Sequence, residues 1–180
     1  VSEQPGGRVT IVTGVPGAGK TTLAALLSRA VPKGVHLPGD AFYGFIARPL
    51  SPILPEAHAQ NRTVVSATLS AALTYASGGY QVFLDGVYGP WFLDEVRAVL
   101  GASALPIDYV VLRQTLEVAI ERASRRSHEP APEHIVRHVQ EALAELGRYS
   151  EHSLEVGART PEALMDELLA RRERGEFRLL

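Results

Sequence analysis

The run Val9-Thr10-Ile11-Val12-Thr13-Gly14-Val15-Pro16-Gly17-Ala18-Gly19-Lys20-Thr21-Thr22 decides the fold. β-Branched residues lead into Gly14-x-x-x-x-Gly19-Lys20-Thr21, and a helix-forming run follows. Strand, glycine loop and helix stand in the order that a phosphate-binding P-loop requires. Glycines let the backbone wrap a phosphate without side-chain clashes. The loop N–H groups and the positive end of the next helix then face the anion. Lys20 is expected to reach the β- and γ-phosphates, and Thr21 to offer its hydroxyl to Mg²⁺. Gly14, Pro16, Gly17, Ala18, Gly19, Lys20, Thr21 and Thr22 are thus the expected nucleotide-binding residues.

Working outward, Arg8–Thr13 reads as the first strand and Lys20–Ala30 as the helix after the loop. Val35-His36-Leu37 is a short second strand ending at Pro38-Gly39-Asp40. Ala41–Ala47 is aromatic and apolar, Pro49, Pro52 and Pro55 follow, and the segment reads as a loop or short helix over a pocket. Ala57–Ser77 is a long helix stopped by Gly78-Gly79. Tyr80–Leu84 is a strand ending at Asp85-Gly86, Trp91–Leu100 a helix, and Ile107–Leu112 a strand ending at Arg113. Helices are expected over Leu116–Arg126 and about Glu133–Leu146, with a last short strand at Ser153–Val156. Thr160-Pro161 opens the final helix, Thr as N-cap and Pro at the first helical position. Strands alternating with helices imply a single α/β domain over residues 1–180, with one parallel sheet covered on both faces.

Composition narrows the partners. The formal net charge is −2 with 18 Lys plus Arg against 20 Asp plus Glu, so no basic field invites long nucleic acid. Cysteine is absent, which excludes disulfides and thiolate chemistry and fits a cytoplasmic setting. No apolar run is long enough to span a membrane, and no secretory signal is visible. The chain is expected to act as a monomer or homodimer on a small molecule.

Ligands of such sheets sit beyond the C-terminal strand ends, where the P-loop, Asp40, Asp85 and Arg113 fall. A carboxylate at Asp85 can hold Mg²⁺, directly or through water, opposite Thr21; it can also be a plain strand-end turn residue. Asp40 can accept a proton from an acceptor hydroxyl or orient it, or else cap a helix over Ala41–Ile46. Phe42, Tyr43, Arg48 and Arg62 are candidate acceptor contacts, the aromatics favouring an uncharged organic alcohol and the arginines an anion. Arg122, Arg125 and Arg126 end a helix, where cations are favourable in themselves or can clamp transferring phosphates from a lid.

With these residues in place, the chain resembles the small P-loop kinases of the chloramphenicol phosphotransferase, gluconate kinase and zeta-toxin type. The matching pieces are GVPGAGKTT, LPGD, VFLDG, LRQTLEVAIERASRR and EHIVRHVQEALAEL, then the TPEAL helix start, and together they cover most of the chain. The resemblance implies a three-layer fold around a five-stranded parallel sheet in order 2-3-1-4-5, with a short helical lid. It implies ATP with Mg²⁺ as cofactor and a small-molecule hydroxyl as phosphate acceptor. It also implies Asp40 as the base at that hydroxyl, Lys20 and Thr21 on the phosphates and metal, and Arg122 and Arg126 as lid arginines; Arg159 is similar to a residue near the adenine. The Mg²⁺ role of Asp85 rests on its strand end alone. Antibiotics, sugar acids, nucleotide sugars and other metabolites are all substrates within the group.

Two other functions compete: a nucleoside or nucleotide kinase, with a base stacked on Phe42, Tyr43 or Tyr88, and a non-kinase ATP-dependent switch or hydrolase. A GTP-dependent version is disfavoured, because no Asn-Lys-x-Asp guanine motif is present.

Overall fold

The structure, a computed structural model, describes residues 6–125 and 130–180. Five strands form one sheet: β1 (Arg8–Gly14), β2 (Gly34–Pro38), β3 (Gln81–Gly86), β4 (Ile107–Arg113) and β5 (Ser153–Glu155). Their order is β2-β3-β1-β4-β5, every pair parallel, as the resemblance implies. Among the described residues six α-helices connect and flank them: α1 (Lys20–Ala30), α2 (His58–Ser77), α3 (Leu93–Leu100), α4 (Leu116–Ser124), α5 (Glu133–Ala142) and α6 (Pro161–Glu173). Consecutive strand residues point to opposite faces, and every residue of β3 and Val9–Gly14 of β1 are buried. Both sheet faces are therefore covered, the condition for a parallel sheet. α1 lies along β2 and β3 beside α6, while α2 lies along β1 and β3 beside α3.

Most boundaries match the sequence pattern, and the departures have local causes. The stretch around Ala41–Ala47 is a 3-10 helix, Gly39–Phe45, and short 3-10 turns at Pro55–Ala57 and Pro90–Phe92 precede α2 and α3. Each of those two turns has proline at its start, which pre-sets φ but removes the N–H that a preceding α-turn would need. α5 stops at Ala142, four residues before the apolar pattern runs out. Leu143 and Leu146 are still buried, but Leu143 lies in a turn and Leu146 caps the 3-10 segment Gly147–His152. The Arg113 guanidinium donates to the Leu143 carbonyl at 2.9 Å and the Ala144 carbonyl at 3.4 Å, holding the segment that follows the helix. Arg113 thus ties the end of β4 to the turn after α5, a structural task that its strand-end position did not reveal. At α6 the cap is as expected: the Thr160 hydroxyl accepts from the Ala163 N–H at 3.2 Å, with Pro161 first in the helix.

The N-terminal ends of the strands are tied by charge. Asp108 on β4 is fully buried and takes both Arg8 Nε and Nη2, the latter at 3.1 Å, with Arg178 Nε at 3.3 Å. Arg178 comes from the chain beyond α6, which runs antiparallel to the start of β4: Tyr109 N–H donates to Phe177 O at 2.9 Å and Leu179 N–H to Ile107 O at 2.8 Å. That closing segment, with Phe177 fully buried, had no signature in the sequence. Asp108→Ala is expected to destabilise the chain by about 3–5 kcal/mol, because it removes the fully buried carboxylate that the part-buried Arg8 and the Arg178 guanidinium share. Urea unfolding of the variant measures this; a loss under about 1 kcal/mol, the worth of a surface pair, would refute the buried-pair account.

Candidate active site

β1 delivers the chain into the loop Gly14–Gly19, and α1 starts at Lys20. Gly17 and Gly19 hold φ values of +86° and +90°, a region that side-chain-bearing residues rarely adopt. At Gly17 a Cβ would also lie 2.2 Å from the Ala119 carbonyl oxygen, so α4 packs directly on the loop through this glycine. Around Gly19 nothing lies within 4 Å of a Cβ position, leaving open space above the loop. The N-cap of α1 is Gly19 itself, so no side chain caps the helix. A helix start of this kind turns its first N–H groups toward the place an anion takes. Lys20, only 4% exposed, donates from Nζ to the Val15 carbonyl at 3.1 Å and so lies along the loop.

Thr21 and Asp85 are in contact. The Thr21 hydroxyl donates to Asp85 Oδ2 at 2.7 Å, joining the start of α1 to the end of β3. The other carboxylate oxygen, Oδ1, lies 2.7 Å from His36 Nε2 on β2. His36 was not singled out from the sequence. The usable signal was its place two residues before Pro38, which sets it diagonally beside Asp85 on one sheet face once β2 pairs with β3. Hard oxygen donors at Thr21 and Asp85 fit Mg²⁺, which takes few protein ligands and completes its shell from phosphate and water. Among the described residues no group of three or more His, Cys, Asp or Glu side chains is arranged to hold a metal by itself.

Asp40 follows the end of β2, exposed in the first turn of Gly39–Phe45. The N-cap of that segment is Pro38, two residues earlier, so Asp40 does not occupy the capping position. Its neighbourhood is phenolic. Tyr88 is buried, and its pKa is raised by burial and by the charges of Asp40 and Asp85. Tyr43 is pushed up to about 12 by burial and by the Asp40 charge. Gly39 is required by space: a Cβ there would lie 2.4 Å from the Tyr88 hydroxyl and 2.9 Å from the Asp85 carbonyl. Tyr88 thereby sets the height at which the chain enters Asp40.

The loop after Asp40 is held by two amides at the start of α2 that the sequence did not flag. Gln60 accepts from the Leu50 N–H at 2.8 Å and donates to the Leu50 carbonyl at 2.9 Å. Asn61 accepts from the Tyr43 hydroxyl at 3.1 Å and donates to the Pro52 carbonyl at 2.7 Å. Phe42 meets Phe45 edge-to-face at 5.4 Å, and Phe45 is 80% exposed. Arg48 is exposed in the same loop. Arg62 is turned elsewhere: its Nε lies 2.6 Å from Glu95 Oε1, an ion pair between α2 and α3. Arg122 is exposed one turn beyond Ala119, on the helix that packs on the loop, and Arg125 pairs with Glu121 at 3.0 Å. Arg126 lies outside the described residues. Arg159, after β5, pairs with Glu167 of α6.

Residues 11–143 match a family profile described as an AAA domain. The chain belongs to that family. No curated protein matches it significantly by sequence. Among solved structures it is similar to a sugar kinase from Janibacter sp. HTCC2649, at 21% identity and TM-score 0.72, over 93% of this chain and 95% of that one. A gluconokinase from Sinorhizobium meliloti 1021 aligns at 20% identity and TM-score 0.62, over 96% and 94%. A tunicamycin resistance protein from Deinococcus radiodurans aligns at 15% and 0.66, over 92% and 95%. The fold of the small P-loop kinases, expected from the motifs, is thus the fold of this chain. No helix among the described residues is long and apolar enough to cross a membrane.

Two predictions follow from this geometry. Gly39→Ala is expected to cost about 1–3 kcal/mol in urea unfolding, the usual range for overpacking, while leaving nucleotide affinity close to wild type; unchanged stability would mean that Tyr88 does not limit the approach. The second concerns Tyr43, Tyr88 and Tyr109, whose values are all raised, chiefly by burial. The folded chain then holds these phenolic protons more tightly than the unfolded chain, so their contribution to stability is complete below the ordinary value of 10.0 and is lost as pH rises above it. Absorbance titration of the native protein is expected to leave these three tyrosines protonated beyond that pH, with their ionisation accompanying alkaline unfolding.

Proposed function

We propose that this chain moves the γ-phosphoryl group of ATP to a hydroxyl of a small organic molecule. The observation that carries the reading is the meeting, at neighbouring strand ends, of the uncapped start of α1, the Thr21–Asp85 contact and Asp40. Further support comes from the structural neighbours named as a sugar kinase, a gluconokinase and a shikimate kinase. An acidic group at a second strand end is one that a phosphotransferase can use to engage an acceptor hydroxyl.

In this reading the loop N–H groups and Lys20 hold the phosphates, and Lys20 carries positive charge where negative charge grows on the bridging oxygen. Mg²⁺, held by Thr21 and by Asp85 directly or through water, would offset charge on the phosphates. Asp40 takes the proton of the acceptor hydroxyl as its oxygen bonds to phosphorus and the bond from phosphorus to the bridging oxygen breaks, releasing ADP. Arg122 approaches the transferring group from α4, which already rests on Gly17. The acceptor lies over the Gly39–Phe45 turn, against Phe42, Phe45 and the Tyr43 edge, with Arg48 in the loop that follows as a cation for it. Because Arg62 is engaged by Glu95, the site favours an uncharged alcohol, antibiotic or metabolite, over a multiply charged one. A cytoplasmic place of action, where ATP is at hand, goes with this activity.

Two substitutions separate the roles. Lys20→Ala is expected to depress phosphate transfer and background ATP hydrolysis together. Asp40→Asn keeps size and should leave ATP affinity nearly intact, but should lower transfer by roughly 10²–10⁴, the worth of a positioned acid–base group. The assay follows mass gain in a panel of hydroxylated metabolites and antibiotics with ATP and Mg²⁺, alongside ATP affinity. Near-wild-type transfer by Asp40→Asn would remove Asp40 from the mechanism. A panel, nucleosides included, that never gains phosphate despite firm ATP binding would favour the switch.

A further inference from the structure

His36 belongs to no phosphate-binding motif, yet it reaches the middle of the nucleotide end. Its Nε2 lies 2.7 Å from Asp85 Oδ1, while Asp85 Oδ2 accepts the Thr21 hydroxyl at 2.7 Å. The two oxygens of one carboxylate are thus anchored on different elements, one by β2 and one by α1. Register makes the first contact possible: His36 stands opposite Phe83, two residues before Asp85, so both side chains rise from the same sheet face. The Asp85 side chain is 5% exposed and that of His36 20%, so water is a poor substitute for the His36 anchor.

We propose that His36 is a positioning residue for the Mg²⁺ site, fixing the Asp85 carboxylate so that Oδ2 stays turned toward Thr21. The proposal rests on the phosphotransferase reading of that site. A hydroxyl that lends a lone pair to a cation still has its proton to donate, and Asp85 Oδ2 is where the Thr21 proton goes. The direction of that hydrogen bond sets the direction of the lone pairs, so an anchor on Oδ1 acts on the metal through two bonds. Without the imidazole donor the carboxylate is free to turn about its side-chain bonds, and Thr21 follows it.

The test is calorimetric binding of ATP, once with Mg²⁺ and once with EDTA, to wild type, His36→Ala, His36→Phe and His36→Gln. Phenylalanine keeps the ring volume without the donor, in case alanine does not fold. Glutamine carries a side-chain amide N–H on a stem long enough to approach the Nε2 position. Thermal melts confirm folding. The Mg²⁺-dependent gain in ATP affinity is expected to fall about 10–100-fold in His36→Ala and His36→Phe, the usual effect of losing a group that orients a metal ligand. Affinity in EDTA is expected to stay unchanged, and His36→Gln to recover most of the gain. Equal weakening with and without Mg²⁺ would overturn the proposal, since it would make His36 a general support of the loop. An undiminished Mg²⁺ gain in the alanine and phenylalanine variants, or a glutamine variant no better than phenylalanine, would also overturn it. Wild type that binds ATP with no Mg²⁺-dependent gain would bring down the metal-site reading itself, a result distinct from any of these.

Discussion

The first turn of α1 begins with backbone N–H groups that no side chain caps. An ordinary helix satisfies such donors with Ser, Thr, Asp or Asn at the N-cap, a choice worth about 0.5–2 kcal/mol over alanine. Here the N-cap is Gly19, and the loop before it is shaped by glycines in left-handed conformations. That geometry concentrates the positive end of the helix dipole and several donors on one small space. Much of the neighbouring structure supports this arrangement. β1 is buried on both faces and aims the loop, α4 seals one flank against Gly17, and Lys20 lies along the loop with its charge close by.

A parallel sheet multiplies the effect of this one loop. All five strands end on the same side, so what stands at each C-terminal end is brought near the phosphate site by topology alone. The order β2-β3-β1 sets the ends of β2 and β3 successively outward from the loop. Asp85 is the nearer carboxylate and meets Thr21; Asp40 belongs to the farther strand and enters over Gly39. One carboxylate therefore suits the metal and phosphate side, and the other the acceptor side. The distinction follows from strand order, not from any chemical difference between two aspartates.

Legibility in the sequence followed the range of the interactions. The P-loop, the alternation of strand and helix and the Thr160-Pro161 helix start are encoded within a few neighbouring residues, and each is where the pattern put it. The Thr21–Asp85 contact was also foreseeable, because both residues sit at element ends that a P-loop fold must bring together. His36, Gln60 and Asn61 were not, since their partners are set by strand register or by the path of a proline-rich loop, neither of which is local. Arg62 and Arg113 show the converse difficulty. An arginine beside a candidate site reads as a ligand contact, but a guanidinium goes to whichever carboxylate or helix end lies within reach, and here Glu95 and the last carbonyls after α5 lie closer.

The two ends of the sheet use charge in opposite ways. At the N-terminal ends Asp108 is saturated by Arg8 and Arg178, and Arg172, buried beside them, gives its Nη2 to Gln81 at 2.6 Å and lies over the Phe83 ring at 5.3 Å. Burial and the Arg8 charge lower the Arg172 pKa, so this guanidinium is held at a cost in desolvation, and its buried Nε has no hydrogen-bond partner among the described residues. At the C-terminal ends the helix start is uncapped by side chains, the space above Gly19 is open and Asp40 is exposed. Charges buried in mutual pairs tie elements together, whereas a site for a polyanion needs donors oriented toward the place the anion takes. Separating the two by the length of the strands lets the N-terminal ends hold the sheet together while the C-terminal ends stay arranged for phosphate.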